Sequence, residues 1–263
     1  MTSPTTRYLL FTLTAPLASF GTVAVGERRP TWDRPSKSQI IGLVAGCLGI
    51  ERIEEERQRE LAASLGFAVR VDDPGTLATD YHTAQTAKDV SIRKRIKAGY
   101  TVNTRAEELA CDDLKTILSR REFRVGSHYT AALWKSSADG AGLAAIAQAL
   151  RTPAFVPFAG RKAHALMLPM RPLVFEATSI ERSFADFDAR PRPDTSDLLT
   201  YLGFKPTKGG PIYVDATAIP DAERDQRVAR IEQRRDHPES RAKWRFGLRN
   251  EALLKPINAG GQS

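Results

Sequence analysis

The chain has 263 residues, 41% of them hydrophobic, with 39 Lys and Arg against 31 Asp and Glu for a net charge of +8. That apolar share supports a packed core and excludes global disorder, and the length allows one large domain or two small ones. The cationic excess, with a pI near 9.6, suits a polyanion, because basic side chains displace the counterions condensed on phosphates.

Only two cysteines occur, Cys47 and Cys111, with no CxxC spacing. The pattern argues against a disulfide scaffold or a zinc site and fits a reducing, cytoplasmic compartment, with Cys47, inside an apolar helix pattern, expected as a buried free thiol. After Arg7, the apolar run Tyr8-Leu9-Leu10-Phe11 is broken by Thr12, Thr14 and Pro16, unlike a secretion signal. No window holds the roughly 18 unbroken apolar residues of a membrane span.

In chain order, Tyr8 to Thr14 is β-prone and Pro16 is expected to end the strand. Ser36 followed by Gln39 is a capping-box pattern, Ile40 to Leu48 is apolar on nearly every side, and Gly49 is placed to stop this helix. Glu51 to Leu65 reads as a solvated helix, and Phe67 to Val71 as a strand closed by the turn signal Asp72-Asp73-Pro74-Gly75. From Thr76 to about Arg120 the apolar periodicity fades. It returns as alternation from Phe123 to Leu133, then as helical spacing at Leu143, Ile146, Ala147 and Leu150. Short apolar pieces follow at Ala165 to Leu168 and at Leu173 to Phe175, then a helix around Thr195 to Leu202 and a strand at Ile212 to Val214.

This order, β-α-β, a long excursion, then β-α-β, predicts an α+β, ferredoxin-like domain over residues 1–176, with a smaller, partly irregular and Arg-rich region at 177–263. An excursion of that length in place of a tight hairpin is expected to be a projecting functional element.

Four segments are candidate anion sites. At the start of the first helix, backbone N–H groups with Ser36, Lys37 and Ser38, and Arg28 and Arg29 upstream, are suited to phosphate; the same residues also make an ordinary cap. In Gly160-Arg161-Lys162, glycine permits close backbone approach beside two cations, or the segment is a plain surface loop. Arg93, Lys94, Arg95 and Lys97, with Tyr81, His82 and Tyr100 in the same excursion, suit single-stranded RNA, since bases stack while phosphates are neutralised. Arg235, Arg245 and Arg249 form the fourth group, in competition with local pairing to acidic residues between Asp221 and Glu239. His82, His128, His164 and His237 show no metal-binding spacing, and neither a P-loop nor a nucleophile elbow occurs. No cofactor is expected. Tyr81, His82 or His164 beside a lysine is the remaining set for acid–base cleavage of RNA.

Taken together, Leu10-Phe11-Thr12-Leu13, Ala15-Pro16-Leu17-Ala18-Ser19-Phe20-Gly21, Arg29-Pro30-Thr31 and Pro35-Ser36-Lys37-Ser38 running into Ile41 to Ile50 resemble the opening blocks of the CasD family. Asp80-Tyr81-His82-Thr83, Phe155 to Lys162, and Arg235-Asp236-His237-Pro238 with Arg245, Phe246 and Arg249 resemble later blocks in the same order. Members of this family belong to the RAMP superfamily and serve the type I-E CRISPR Cascade complex. The resemblance implies an RRM-related, ferredoxin-like body with a β-hairpin thumb, here about residues 76–120. It also implies a non-catalytic subunit that clasps the 5′ handle of crRNA, caps one end of the CasC backbone and meets the large CasA subunit that recognises target DNA. A related branch cuts RNA with a Tyr, Lys and His set. Tyr81, Lys162 and His164 are of the right types, but their context departs from that pattern, and Phe20 stands where the family often has Trp.

Overall fold

The computed structural model describes residues 5–136, 142–190, 195–204, 209–240 and 243–256. Its main elements are β1 (Thr6–Ala18), α1 (Lys37–Cys47), α2 (Glu55–Ser64), β2 (Leu65–Asp73), β3 (Thr76–Ala87), α3 (Asp89–Lys97), α4 (Arg105–Leu109), β4 (Leu114–Lys135), α5 (Leu143–Arg151), β5 (Leu173–Ala177), α6 (Ile180–Ala189), α7 (Thr195–Tyr201), β6 (Ile212–Asp215), α8 (Asp221–Arg227), β7 (Val228–Ser240) and β8 (Arg245–Leu254). The chain forms two compact units, one of Met1–Phe20, Trp32–Thr76 and Arg124–Ser263, the other of Gly21–Thr31 and Leu77–Phe123.

The first unit is built on a sheet of order β7-β8-β6-β2-β4-β1-β5 in which every neighbouring pair is antiparallel. Alternation sorts its side chains between two cores. Leu9, Phe11, Phe67, Val69, Tyr129 and Leu133 face a cluster with Ile41 and Val44 of α1, Leu61 of α2 and Ile146 of α5. Tyr8, Leu10, Ala68 and Ala132 face the other way, onto Phe175, Phe184 and Phe187. Phe11 is fully buried in the first of these cores, so truncating it to Ala would cost about 3–5 kcal/mol.

Ser36 caps α1 as a full capping box with Gln39, and Gly49 at φ 73° follows its end. Ile40, Ile41, Val44 and Ala45 recur at helical spacing and pack with Cys47 into the sheet's core, and burial pushes the Cys47 thiol up to about 11, leaving it an inert packing group. Pro16 does not end β1. The strand pairs β5 only from Thr6 to Leu10, so at position 16 the missing N–H removes no ladder bond on that edge.

Strands after residue 177 extend the same sheet: β6 pairs β2, β8 pairs β6, and β7 pairs β8. Of the two short apolar pieces, the second becomes β5 and the first contributes an isolated bridge between Phe158 and Ala165. The solvated helix starts at Glu55, leaving Ile53 outside it and 80% exposed.

In the second unit, β3 pairs with β4, and α3 and α4 lie between them in sequence. These helices have no apolar stripe to announce them: only Ser91 is buried in α3, and no residue is buried in α4. Local chemistry holds α4 instead, where Thr104 and Glu107 form a reciprocal capping box. A two-residue strand, Arg28–Arg29, runs parallel to β4.

Candidate nucleic-acid interface

The N-terminus of α1 already holds an anion, and it is a carboxylate. Lys37 N–H donates to Asp236 Oδ2 at 3.0 Å, while Lys37 Nζ meets Asp215 Oδ2 at 2.9 Å. Ser36, Lys37 and Ser38 are 4%, 7% and 8% exposed, and the two serine hydroxyls lie 3.0 Å apart. Arg249 binds Asp236 through Nε and Nη2, Asp215 through Nη1 at 2.7 Å, and Glu251 through Nη2 at 2.7 Å. Arg34 and Arg234 both reach Glu251 Oε2, at 2.6 and 3.0 Å, and Arg34 stacks 3.5 Å above the Tyr213 ring. Burial raises the pKa of Asp236 and Glu251, but the surrounding guanidiniums outweigh it and hold both below the usual carboxylate range. These buried ions therefore neutralise one another, although among the described residues Arg234 Nε and Nη2 find no hydrogen-bond partner, and a phosphate at this helix end would have to displace Asp236.

Sequence reading placed Arg28 and Arg29 with this helix start. The structure places them in the second unit, paired to β4. Arg249, expected as a phosphate ligand, is instead the centre of the buried ion network. Asp215 and Glu251 were not singled out. Apart from Arg249, two residues before Glu251, their partners are remote in sequence, with Lys37 178 residues from Asp215 and Arg34 217 residues from Glu251, so only the folded hairpin reveals them.

The Gly160-Arg161-Lys162 loop is a tight structure in the first unit. Ser19 N–H donates to Ala159 O at 3.0 Å, Ala159 N–H to His164 O at 2.8 Å, and His164 N–H to Arg161 O at 2.8 Å. Gly160 has φ 86°, and a Cβ there would lie 1.8 Å from the Ser19 carbonyl oxygen. The glycine is required by this backbone crossing. Arg161 is half-buried and Lys162 is exposed at the turn, while His164 is 7% exposed beneath it.

The second unit displays its cations. It contains eleven Lys and Arg against eight Asp and Glu. On α3, Arg93, Lys94 and Lys97 are exposed, and Lys94 Nζ lies 3.5 Å from Asp112 where both are mostly solvated. Arg95 stacks 4.7 Å from the Tyr100 ring and donates to Ala110 O at 3.1 Å. Tyr100 and Tyr81 are 60% and 59% exposed, and His82 lies 3.5 Å from Asp80 on the same strand as Tyr81. One unit thus joins exposed aromatic faces to solvated cations, the pairing that single-stranded nucleic acid uses. At the far hairpin, Arg235 and Arg245 are exposed, and Arg52 stacks 4.0 Å from the Trp244 ring.

The histidines do not assemble. His128 is buried against Thr14 Oγ1 at 2.8 Å, His237 lies beside the ion network, and His82 belongs to the other unit. No group of three or more metal-ligating side chains occurs among the described residues. No described helix is long and apolar enough to cross a membrane.

Together these features define a mixed α+β protein: a large antiparallel sheet covered on both faces in one unit, and a second, cation-rich unit made of Gly21–Thr31 and Leu77–Phe123. A sequence profile of the family described as CRISPR-associated protein (Cas_Cas5) matches residues 8–250, and the chain belongs to that family. It is 26% identical over 189 residues to the CRISPR system Cascade subunit CasD of Escherichia coli, covering 69% of this chain and 77% of that protein. Its fold is shared with a chain of a CRISPR RNA-guided surveillance complex (TM-score 0.54, 20% identity, 95% and 91% of the two chains). It is also shared with a structure described as a Cas protein (TM-score 0.53, 23% identity, 96% and 95% covered).

Proposed function

We propose that this protein is a non-catalytic subunit of a type I-E CRISPR surveillance complex (Cascade) that grips the 5′ handle of crRNA and caps one end of the CasC backbone. Family membership and the similarity to CasD support the assignment to such a complex. One observation carries the RNA-gripping role: the cations are sorted. Those around α1 are neutralised inside the sheet body, whereas Arg93, Lys94 and Lys97 of the second unit and Lys162 of the glycine loop face solvent. The order β2-β4-β1-β5, with α1 and α5 as the crossovers, supports reading the body as the ferredoxin-like platform of RAMP proteins. The cation-rich unit corresponds to the thumb, which would cover the RNA. CasA and, through the assembled complex, target DNA are the further partners, in the cytoplasm.

The handle is single-stranded, so its bases are open to stacking on Tyr81 and Tyr100 while lysines and arginines neutralise phosphates. If about five phosphates are neutralised, log K against log salt falls with a slope near −3.5. Binding of the purified protein to handle RNA across a salt series tests this, and a flat response would overturn the phosphate grip. Incubation of the same protein with labelled repeat RNA in EDTA separates a scaffold from a metal-independent nuclease. Intact RNA is expected, and specific cleavage would replace the scaffold with an enzyme.

A further inference from the structure

The register of the second unit sets arginine against arginine twice. Arg28 lies opposite Arg120 and Arg29 opposite Arg121 in a parallel pairing, which Arg120 N–H joins by donating to Glu27 O at 2.9 Å. Partners in a ladder share a face and successive residues alternate, so each face of this ribbon carries one arginine pair. Like charges directly opposite one another oppose the pairing. On one face the repulsion is answered: Arg28 Nη2 lies 3.5 Å from Glu122 Oε1, and Thr31 N–H fixes the other oxygen of Glu122 at 3.2 Å.

On the other face only neutral groups meet the cations. Arg29 Nη1 donates to the carbonyls of Gly26 and Arg28 at 2.5 and 3.0 Å, and Arg121 Nε donates to Ser119 Oγ at 3.2 Å. Among the described residues no carboxylate lies within ion-pair distance of either guanidinium, and both residues are exposed. Each guanidinium has five N–H donors and spends only one nitrogen on these contacts, so donors remain for a shared anion. Two such forks across one rung suit the two non-bridging oxygens of a phosphodiester.

We propose that Arg29 and Arg121 take one phosphate of the bound RNA between them. The ligand then supplies the negative charge the rung lacks and holds the Arg28–Arg29 strand on β4. This rests on the RNA-binding reading above, and adds to it a cross-strand pair outside the basic helix.

The test uses the full chain and its Arg121→Gln variant with two probes, an oligouridylate RNA and inorganic polyphosphate. Affinity is read across a salt series, and amide hydrogen exchange is followed over residues 27–31. In the parent, RNA should slow exchange in that segment. In Arg121→Gln, affinity should fall about tenfold, as expected for losing a charge-assisted contact, and the salt slope should flatten by about 0.7 for one phosphate. Without ligand, the variant should exchange more slowly than the parent, because the repulsion is gone. If the parent binds RNA and the variant matches it in slope and protection, the rung is refuted while the RNA reading stands. If RNA does nothing but polyphosphate protects the segment in the parent alone, the rung stands and the RNA reading falls. Exchange unchanged by either probe refutes the rung outright.

Discussion

Lys37 and Asp236, 199 residues apart, meet where the first helix begins, with the backbone N–H of one donating to the carboxylate of the other at 3.0 Å. A helix N-terminus attracts an anion whatever its source. Here the C-terminal hairpin supplies it, which locks α1 to the far end of the sheet. Asp236→Asn keeps the shape but removes the charge facing Lys37 N–H and Arg249. It should cost about 3 kcal/mol, as when a buried ion pair loses one partner, measured by denaturant unfolding. RNA affinity should not rise. A gain in affinity would show that Asp236 had been holding a phosphate site closed.

The glycine loop separates folding from binding. Gly160→Ala forces a Cβ onto the Ser19 carbonyl at a left-handed φ, and should destabilise by more than about 2 kcal/mol. Lys162→Ala, at an exposed position on the same turn, should leave the melting temperature within a degree or two and weaken handle RNA binding several-fold, by loss of one phosphate contact. Equal stability losses from both substitutions would reduce the loop to a structural turn.

Much of the body was legible in the sequence because its signals are local. Ser36 and Gln39 announce the cap, and Leu143, Ile146, Ala147 and Leu150 announce α5, all four of which are buried. What escaped is what depends on distant partners. Asp215 joins Lys37 and Arg249 only because β6 pairs β2 and β8. The same holds for the Arg29–Arg121 pairing, set by a two-residue strand too short to carry a periodic pattern. Helices α3 and α4 were hidden for another reason: solvated on nearly all sides, they carry no apolar period.

The basic helix of the second unit should act through charge alone. Arg93, Lys94 and Lys97 are exposed, so replacing all three by Gln should leave unfolding unchanged within about 0.5 kcal/mol. If each neutralises one phosphate, the salt slope for RNA should flatten by about 2. An unchanged slope would assign these residues to a solvated face with no ligand.

Acid should loosen the junction between α1 and the C-terminal hairpin in two steps. His237 has its pKa lowered first by burial and then by Lys37, so the folded state resists protonation. Its contribution is complete above the ordinary histidine value of ~6.5 and is lost as pH falls below it, because the unfolded chain binds the proton more readily. Asp236 and Glu251, held below the ordinary carboxylate range, contribute fully above about pH 4 and lose that contribution on further acidification. Asp72 works the other way, since burial raises its pKa despite Arg70 and Thr130. For that reason the decisive readout is local: the amide resonance of Lys37 and its hydrogen exchange from pH 7.5 to 3.5. Exchange, corrected for its intrinsic pH dependence, should quicken first below about 6.5 and again near 4, and His237→Gln should abolish the first step alone. A Lys37 amide whose protection stays level down to pH 4 in the parent would mean that His237 does not govern this junction, and one level down to pH 3.5 would exclude the carboxylates as well.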